Sequence, residues 1–198
     1  MADGPAPRRR TRRTDPGRRD RIIDACLDVV VANGVSGTSH RRVAEAADVP
    51  LGSMTYHFTG MDELLREAFT RYARTVSDRF ERRMSEAADV GEARRAVVAM
   101  ITSDVVTSRR DLVLTHELYT LAAREPAFRD ITNSWMARSR HALERHFDPT
   151  TARLVDALIE GLTIHRALDT PQDPPGGGAG YDTALVVDAV ERVTADPG

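Results

Sequence analysis

The sequence predicts an all-α protein of about nine helices, and three observations predict it. Apolar residues recur at three- and four-residue steps along most of the 198-residue chain. No sustained alternating run stands between turn signals, so no sheet is expected. Gly or Pro falls close to where most of the apolar stripes stop. The length suits one large domain or two small ones. No run approaches the ~18 apolar residues of a membrane span, and no apolar stretch follows the basic N-terminus as in a signal peptide. A cytoplasmic chain with no membrane partner is therefore expected. The one cysteine, Cys26, rules out a disulfide framework and a cysteine-based zinc site.

Residues 1–14 (MADGPAPRRRTRRT) lack apolar periodicity and read as a disordered, Arg-rich arm. Asp15-Pro16-Gly17 reads as a helix start, since Asp accepts orphan N–H groups and Pro is tolerated in a first turn. Ile22, Ile23, Cys26, Leu27, Val30 and Val31 form the stripe of the first helix, and Asn33-Gly34 ends it. Thr38 or Ser39 caps a second, short helix that buries Val43, Ala44 and Ala47. The chain turns through Ala46–Pro50, and Pro50 opens a third helix of about two turns ending near Phe58. Thr59, with Asp62 three residues on, resembles a capping box for the fourth helix. Leu64, Leu65, Ala68, Phe69, Tyr72, Val76, Phe80 and Met84 carry that helix for over twenty residues. Further helices are placed roughly at 92–108, 109–124, 127–147, 150–168 and 181–195, with Pro126 and Pro149 at two of the breaks. Residues 169–180 read as a flexible loop by composition.

Charge is unevenly distributed. All 28 basic residues are arginine, and the formal net charge is −2. Residues 1–60 hold ten Arg against seven acids, while the remainder holds eighteen against twenty-three. A basic head on an acidic body suits a polyanion partner at one end; a solvated tail on an ordinary enzyme would look the same.

Residues 38–58, TSHRRVAEAADVPLGSMTYHF, read as helix, tight turn, helix. In such a unit the second helix is free to lie in a DNA major groove. The first presents Arg41 and Arg42 away from its apolar side, where they can meet phosphates or simply form a solvated face. The second is expected to expose Gly52, Ser53, Thr55, Tyr56 and His57 while Met54 and Phe58 anchor it inward. His57 also suits packing near Phe58, and Gly52 also suits a purely structural role.

The stretch from Arg18 to Leu65 resembles the DNA-binding domain of the tetracycline-repressor (TetR) family of bacterial regulators. The residues that carry the likeness are I-I-D-A-C-L-D-V-V in the first helix, Gly34, Thr38, R-R-V-A-E-A-A-D-V in the second, G-S-M-T-Y-H-F in the third, and Glu63-Leu64-Leu65. The resemblance implies a homodimer, with residues 15–60 as the reading head and 61–198 as a helical ligand-binding and dimerisation domain. It further implies that Thr38 meets a phosphate, Arg41 or Arg42 the backbone, and Gly52, Ser53, Tyr56 and His57 the groove or its rims. The chain departs from the family pattern at Thr55, often aromatic, and at Met61, often Lys. The missing Lys removes an expected phosphate contact, which the Arg-rich arm could replace from a minor groove.

Polar residues interrupt the apolar helices of the second domain. Asp104, His116, Glu117, Trp135 and His165 are the candidates for lining a small-molecule pocket, each alternatively a satisfied core or dimer contact. Leu158, Gly161, Leu162, Leu185, Ala189 and Val190 are the candidates for a dimer surface, because a helix apolar on two sides must bury both. His141 and His146, five apart, diverge by about 140° on a helix, and no metal site is expected. No phosphate loop, nucleophile elbow or paired-carboxylate spacing stands out, so neither enzyme activity nor a cofactor is expected. The expected function is a ligand-responsive repressor of a palindromic double-stranded operator, released by a small molecule. The rivals are a helical enzyme or sequestering protein, and an activating or constitutive DNA binder.

Overall fold

The computed structural model describes residues 15–102, 109–168 and 183–195. The arm at 1–14, Asp104 and the loop at 169–180 lie outside the described residues. Within them the chain is all-α, with helices α1 (Arg18–Asn33), α2 (His40–Ala46), α3 (Gly52–His57), α4 (Met61–Glu86), α5 (Val90–Thr102), α6 (Arg109–Arg124), α7 (Arg129–Leu143), α8 (Pro149–Leu168) and α9 (Thr183–Thr194), and a 3-10 turn at Pro126–Phe128 before α7.

Local chemistry sets the short helices. At the end of α1, Gly34 takes φ 70° and its N–H donates to the Val30 carbonyl at 2.8 Å. A Cβ on Gly37 would stand 2.3 Å from the Asn33 carbonyl oxygen, so the connection folds this tightly onto α1 only with glycine there. Ser39, rather than Thr38, caps α2 by accepting from Arg42 N–H. The α2–α3 turn is a Schellman arrangement: Val49 N–H donates to the Ala44 carbonyl at 3.0 Å and Asp48 N–H to that of Glu45 at 3.2 Å. Asp48 supplies the left-handed residue, φ 51°, which a short polar side chain tolerates. The third helix starts two residues later than the sequence suggests, since Pro50 and Leu51 only accept its first bonds. The cap of α4 also differs: Glu63, not Asp62, reaches back to the N–H and hydroxyl of Thr59, each at 2.6 Å. Gly60 is the residue flanking the helix, so Glu63 occupies its third position, where a carboxylate reaches back most easily.

The apolar interior forms two clusters, and the first crosses residue 60. It joins Ile22, Cys26 and Val30 of α1, Val43 of α2, Met54 and Phe58, and Leu65 and Phe69 of α4 to Leu114 and Leu118 of α6 and Ile131 of α7. The second gathers Met84, Val97, Ile101, Leu143, Val155, Val186 and Val190 where α4, α5, α7, α8 and α9 meet. Because α4 contributes to both and packs along α7, it is the common spine of head and body. Cys26 is fully buried, and burial pushes its thiol up to about 12. No helix among the described residues is long and apolar enough to cross a membrane.

Candidate functional site

Among the described residues, two places have the character of a site. The first is the outward side of α2 and α3. Met54 and Phe58 are buried beneath α3, and the Arg19 guanidinium lies 5.0 Å above the Phe58 ring, so α3 is held against α1 from below. Tyr56 is 82% exposed, an unusual position for a large aromatic side chain. Its ring meets His57 edge-on at 4.9 Å, and His57 lies half-buried between it and Phe58. Thr55 is exposed, its hydroxyl donating to the Gly52 carbonyl at 3.3 Å. A Cβ on Gly52 would meet nothing, so that position is open outward.

Ser53 departs from the expectation that it is exposed: only 8% of its surface is accessible. It precedes Met54 and lies one turn before His57, so it falls on the inward edge of α3, and its small side chain is covered. Arg41 and Arg42 are both exposed, with Arg42 donating to the Gly37 carbonyl. Thr38 is half-buried and its hydroxyl donates to the Gly34 carbonyl at 2.8 Å, which fixes the loop in front of α2.

The second place is a cavity of about 430 Å³ between α4, α5, α6, α7 and α8. That volume is in the range of small-molecule sites. Its apolar lining includes Val76, Phe80, Met100, Leu112 and Ile159. Trp135 stacks on Tyr119 with ring centroids 5.9 Å apart and meets Tyr72 edge-on at 5.8 Å. The Tyr72 hydroxyl donates to the Asp111 carbonyl at 2.9 Å and lies 2.9 Å from the Thr115 hydroxyl. The Tyr119 hydroxyl donates to Glu160. Burial raises both phenol pKa values, and for Tyr119 the Glu160 carboxylate raises it further. Burial, with the nearby Glu160 charge, lifts Asp156 to about 6, against the opposing effect of Arg140. A second, shallower groove between α1 and α4 is lined by Glu67, Arg66 and Arg71, whose charges are paired with Arg19, Asp130, Asp20 and Asp24.

Of the residues expected around a pocket, His116 and Trp135 line the cavity, and His116 Nδ1 is 2.7 Å from the Leu112 carbonyl of its own helix. Glu117 turns the other way and accepts from Val35 N–H at 2.9 Å. It follows His116 by one residue, about 100° around α6, which carries it from the cavity face to the head face. His165 is exposed on α8, away from the cavity. Sequence reasoning missed Tyr72, Tyr119, Asp156 and Glu160. The signal available was two carboxylates four residues apart on an otherwise apolar α8. Among the described residues no group of three His, Cys, Asp or Glu side chains is disposed to hold a metal ion.

On α8 and α9, Leu154 and Leu185 are exposed, Ala189 is half-buried, a Cβ on Gly161 would meet nothing, and Leu158 and Leu162, also half-buried, pack against the second cluster. Val190 departs furthest from the expectation of a dimer surface. It is fully buried against the second cluster, because it lies five residues after Leu185, on the inward side of α9.

Comparison with known proteins agrees with this architecture. SCO7518 of Streptomyces coelicolor A3(2) is 52% identical, with a TM-score of 0.79 over 91% of this chain and 99% of that one. The multidrug binding protein EbrR, solved in complex with imidazole, is 35% identical, with a TM-score of 0.68 over 93% of this chain and 98% of its own. The HTH-type transcriptional regulator BetI of Burkholderia mallei is 29% identical over 76% of this chain and 82% of its length. Residues 22–68 match the bacterial regulatory proteins of the tetR family, and residues 88–196 match the tetracyclin repressor-like C-terminal domain. The chain thus belongs to the tetR family of bacterial transcriptional regulators, DNA-binding proteins rather than enzymes.

Proposed function

We propose that the protein is a homodimeric repressor that leaves a palindromic operator when a small molecule fills the cavity. Residues 15–60 act as the reading head and residues 61–198 bind the effector and the partner subunit. In this reading Tyr56, Thr55, His57 and the open backbone at Gly52 approach the groove, while Thr38, Arg41 and Arg42 approach phosphates. Phosphate contacts supply salt-sensitive affinity and base-edge contacts select the sequence. Two heads read half-sites one turn of DNA apart, ~34–36 Å, or a multiple of it. The outer side of α8 and α9, with Leu154, Gly161 and Leu185 and the half-buried Leu158 and Leu162, is the surface for the second subunit.

The observation that carries the reading is the two-sidedness of α6. One side presents Leu112, Thr115, His116 and Tyr119 to the cavity. The other is fastened to the head: Arg110 pairs with Asp28 of α1, Glu117 accepts from Val35, and Leu114 and Leu118 are buried against α1. A ligand that displaces the first side must move the second. To take the heads from 1:99 to 99:1 between two spacings, it needs about 5.5 kcal/mol of differential affinity. EbrR supports an organic effector, since it binds imidazole at 35% identity to this chain.

The test is a footprint on the DNA flanking the gene, followed by titration of the complex with candidate effectors. Protection of a palindrome that weakens with salt and is lost on adding a cavity ligand is expected. A ligand that fills the cavity and leaves both operator affinity and head spacing unchanged refutes the mechanism.

A further inference from the structure

The large apolar side chains left uncovered on the head lie at one place. Within residues 15–60 they are Leu51, 54% exposed, and Tyr56. A lone exposed leucine calls for no account, but this one stands on the surface that the proposed function turns toward DNA. Leu51 flanks α3 with helical backbone angles, φ −53° and ψ −36°, so its side chain continues the rotation of the helix. Thr55 follows by four residues, about 40° around, on the same outward side, whereas Ser53 and Met54 are covered. Gly52 adds no side chain beside them, and a Cβ there would meet nothing.

This strip has no proton to donate. Leu51 carries no polar side-chain atom, and the Thr55 hydroxyl donates to the Gly52 carbonyl at 3.3 Å, within its own helix. Tyr56 differs, because its hydroxyl can pair with a phosphate or a base edge. Nearly every group on the floor of the major groove is a hydrogen-bond donor or acceptor, and the C5 methyl of thymine is the apolar one. A leucine pressed onto an N7, O6 or N4 group strips water from it and returns no bond, which costs affinity. Against a thymine methyl both surfaces gain from leaving water.

We infer that Leu51 is a specificity-determining residue that reads the C5 methyl of one thymine where each head enters the groove, with Thr55 one turn along the same strip. This rests on the outward side of α3 entering the major groove, and adds to that reading the base selected at the start of the helix.

The experiment selects an operator from random duplex DNA with the full-length protein, then replaces each of its thymines singly by deoxyuridine. That change keeps every hydrogen-bonding group of the base and removes the methyl alone. At one position per half-site the loss of affinity is expected to be about fourfold, the effect of one buried methyl group. Leu51→Ala should then bind the thymine and uracil forms equally, and a repeated selection with it should lose the preference at that position. Its melting temperature and its affinity for unrelated duplex should match the wild type, because an exposed leucine neither fills the core nor meets a phosphate, and this shows that the variant folds. A loss on uracil substitution that persists in Leu51→Ala assigns the methyl to another side chain and overturns the inference. An operator in which no thymine responds to removal of its methyl overturns it as well, and both results leave the head as a groove reader. If the wild type selects no sequence, or if Leu51→Ala and Tyr56→Ala both keep full affinity for the operator, the inference and the reading of α3 beneath it fail together.

Discussion

The carboxylate of Glu117 accepts a hydrogen bond from the backbone N–H of Val35 at 2.9 Å, joining α6 to the loop that leads into α2. A Cβ on Gly34 would stand 3.1 Å from the same carboxylate, so the loop and the side chain are fitted to each other. Glu117→Ala leaves the Val35 N–H without its partner. It should cost about 1–3 kcal/mol of stability. More tellingly, effector binding followed at Trp135 should be retained while the effector's influence on operator affinity shrinks. Gly34→Ala forces a side chain onto φ 70° and should lower the melting temperature further.

The exposed ring of Tyr56 and the covered hydroxyl of Ser53 predict opposite outcomes within one short helix. Tyr56→Ala should leave the melting temperature unchanged and weaken operator binding by roughly 10-fold or more, the scale of one lost base-edge contact. Ser53→Ala should preserve the operator sequence selected in a binding-site selection experiment.

Arg41→Ala should weaken binding to all DNA sequences alike and reduce the slope of log affinity against log salt by about one, as loss of a phosphate contact does. Titrations of operator and unrelated duplex at several salt concentrations measure both effects. A variant that changes sequence preference instead places Arg41 at a base edge.

Asp156 makes stability depend on pH. Its pKa rises from an ordinary 3.8 to about 6, chiefly through burial, so the folded chain retains a proton that the unfolded chain has lost. Stability from this group is therefore full below about pH 4 and declines as pH rises through 6. Asp156→Asn should stabilise the protein at about pH 8 by on the order of 1–2 kcal/mol, after discounting for partial exposure, and not at about pH 4. The comparison is needed because Glu160 on the same helix, Arg140 on α7, His116 and Tyr119 on α6, and Arg79 and Arg83 on α4 face the same space.

Leu154→Arg should convert the proposed dimer to monomer in analytical ultracentrifugation without unfolding it, since Leu154 is 54% exposed in the single chain. Val190→Ala should leave the association state intact and lower stability by about 1–2 kcal/mol, a cavity in the second cluster being the cause.

Periodicity carried most of the fold. The stripe of α4 was readable because eight apolar residues keep step from Leu64 to Met84, and the boundaries that slipped are those set by local bonding. Thr59 pairs with Glu63 rather than Asp62 because the flanking residue is Gly60, a shift of one position that spacing alone does not reveal. The outward side of α3 was legible for Tyr56, and Ser53 fell on the margin, where 100° per residue decides between cover and exposure. The cavity was least legible. Tyr72 and Tyr119 look like ordinary members of apolar stripes, and only the packing of α4, α6 and α7 brings both rings to Trp135. Glu117 shows the same limit, since one residue of rotation on α6 exchanges the cavity for a loop.

The buried thiol of Cys26 has a practical consequence. Held protonated and out of reach inside the head, it should resist maleimides in the native state, which a thiol-labelling assay on the folded protein checks. A cysteine introduced on the outer side of α3 would then be the chain's one reactive sulfur. If the proposed dimer forms, spin labels at that position on its two subunits would measure the gap between the heads directly, with and without a candidate effector.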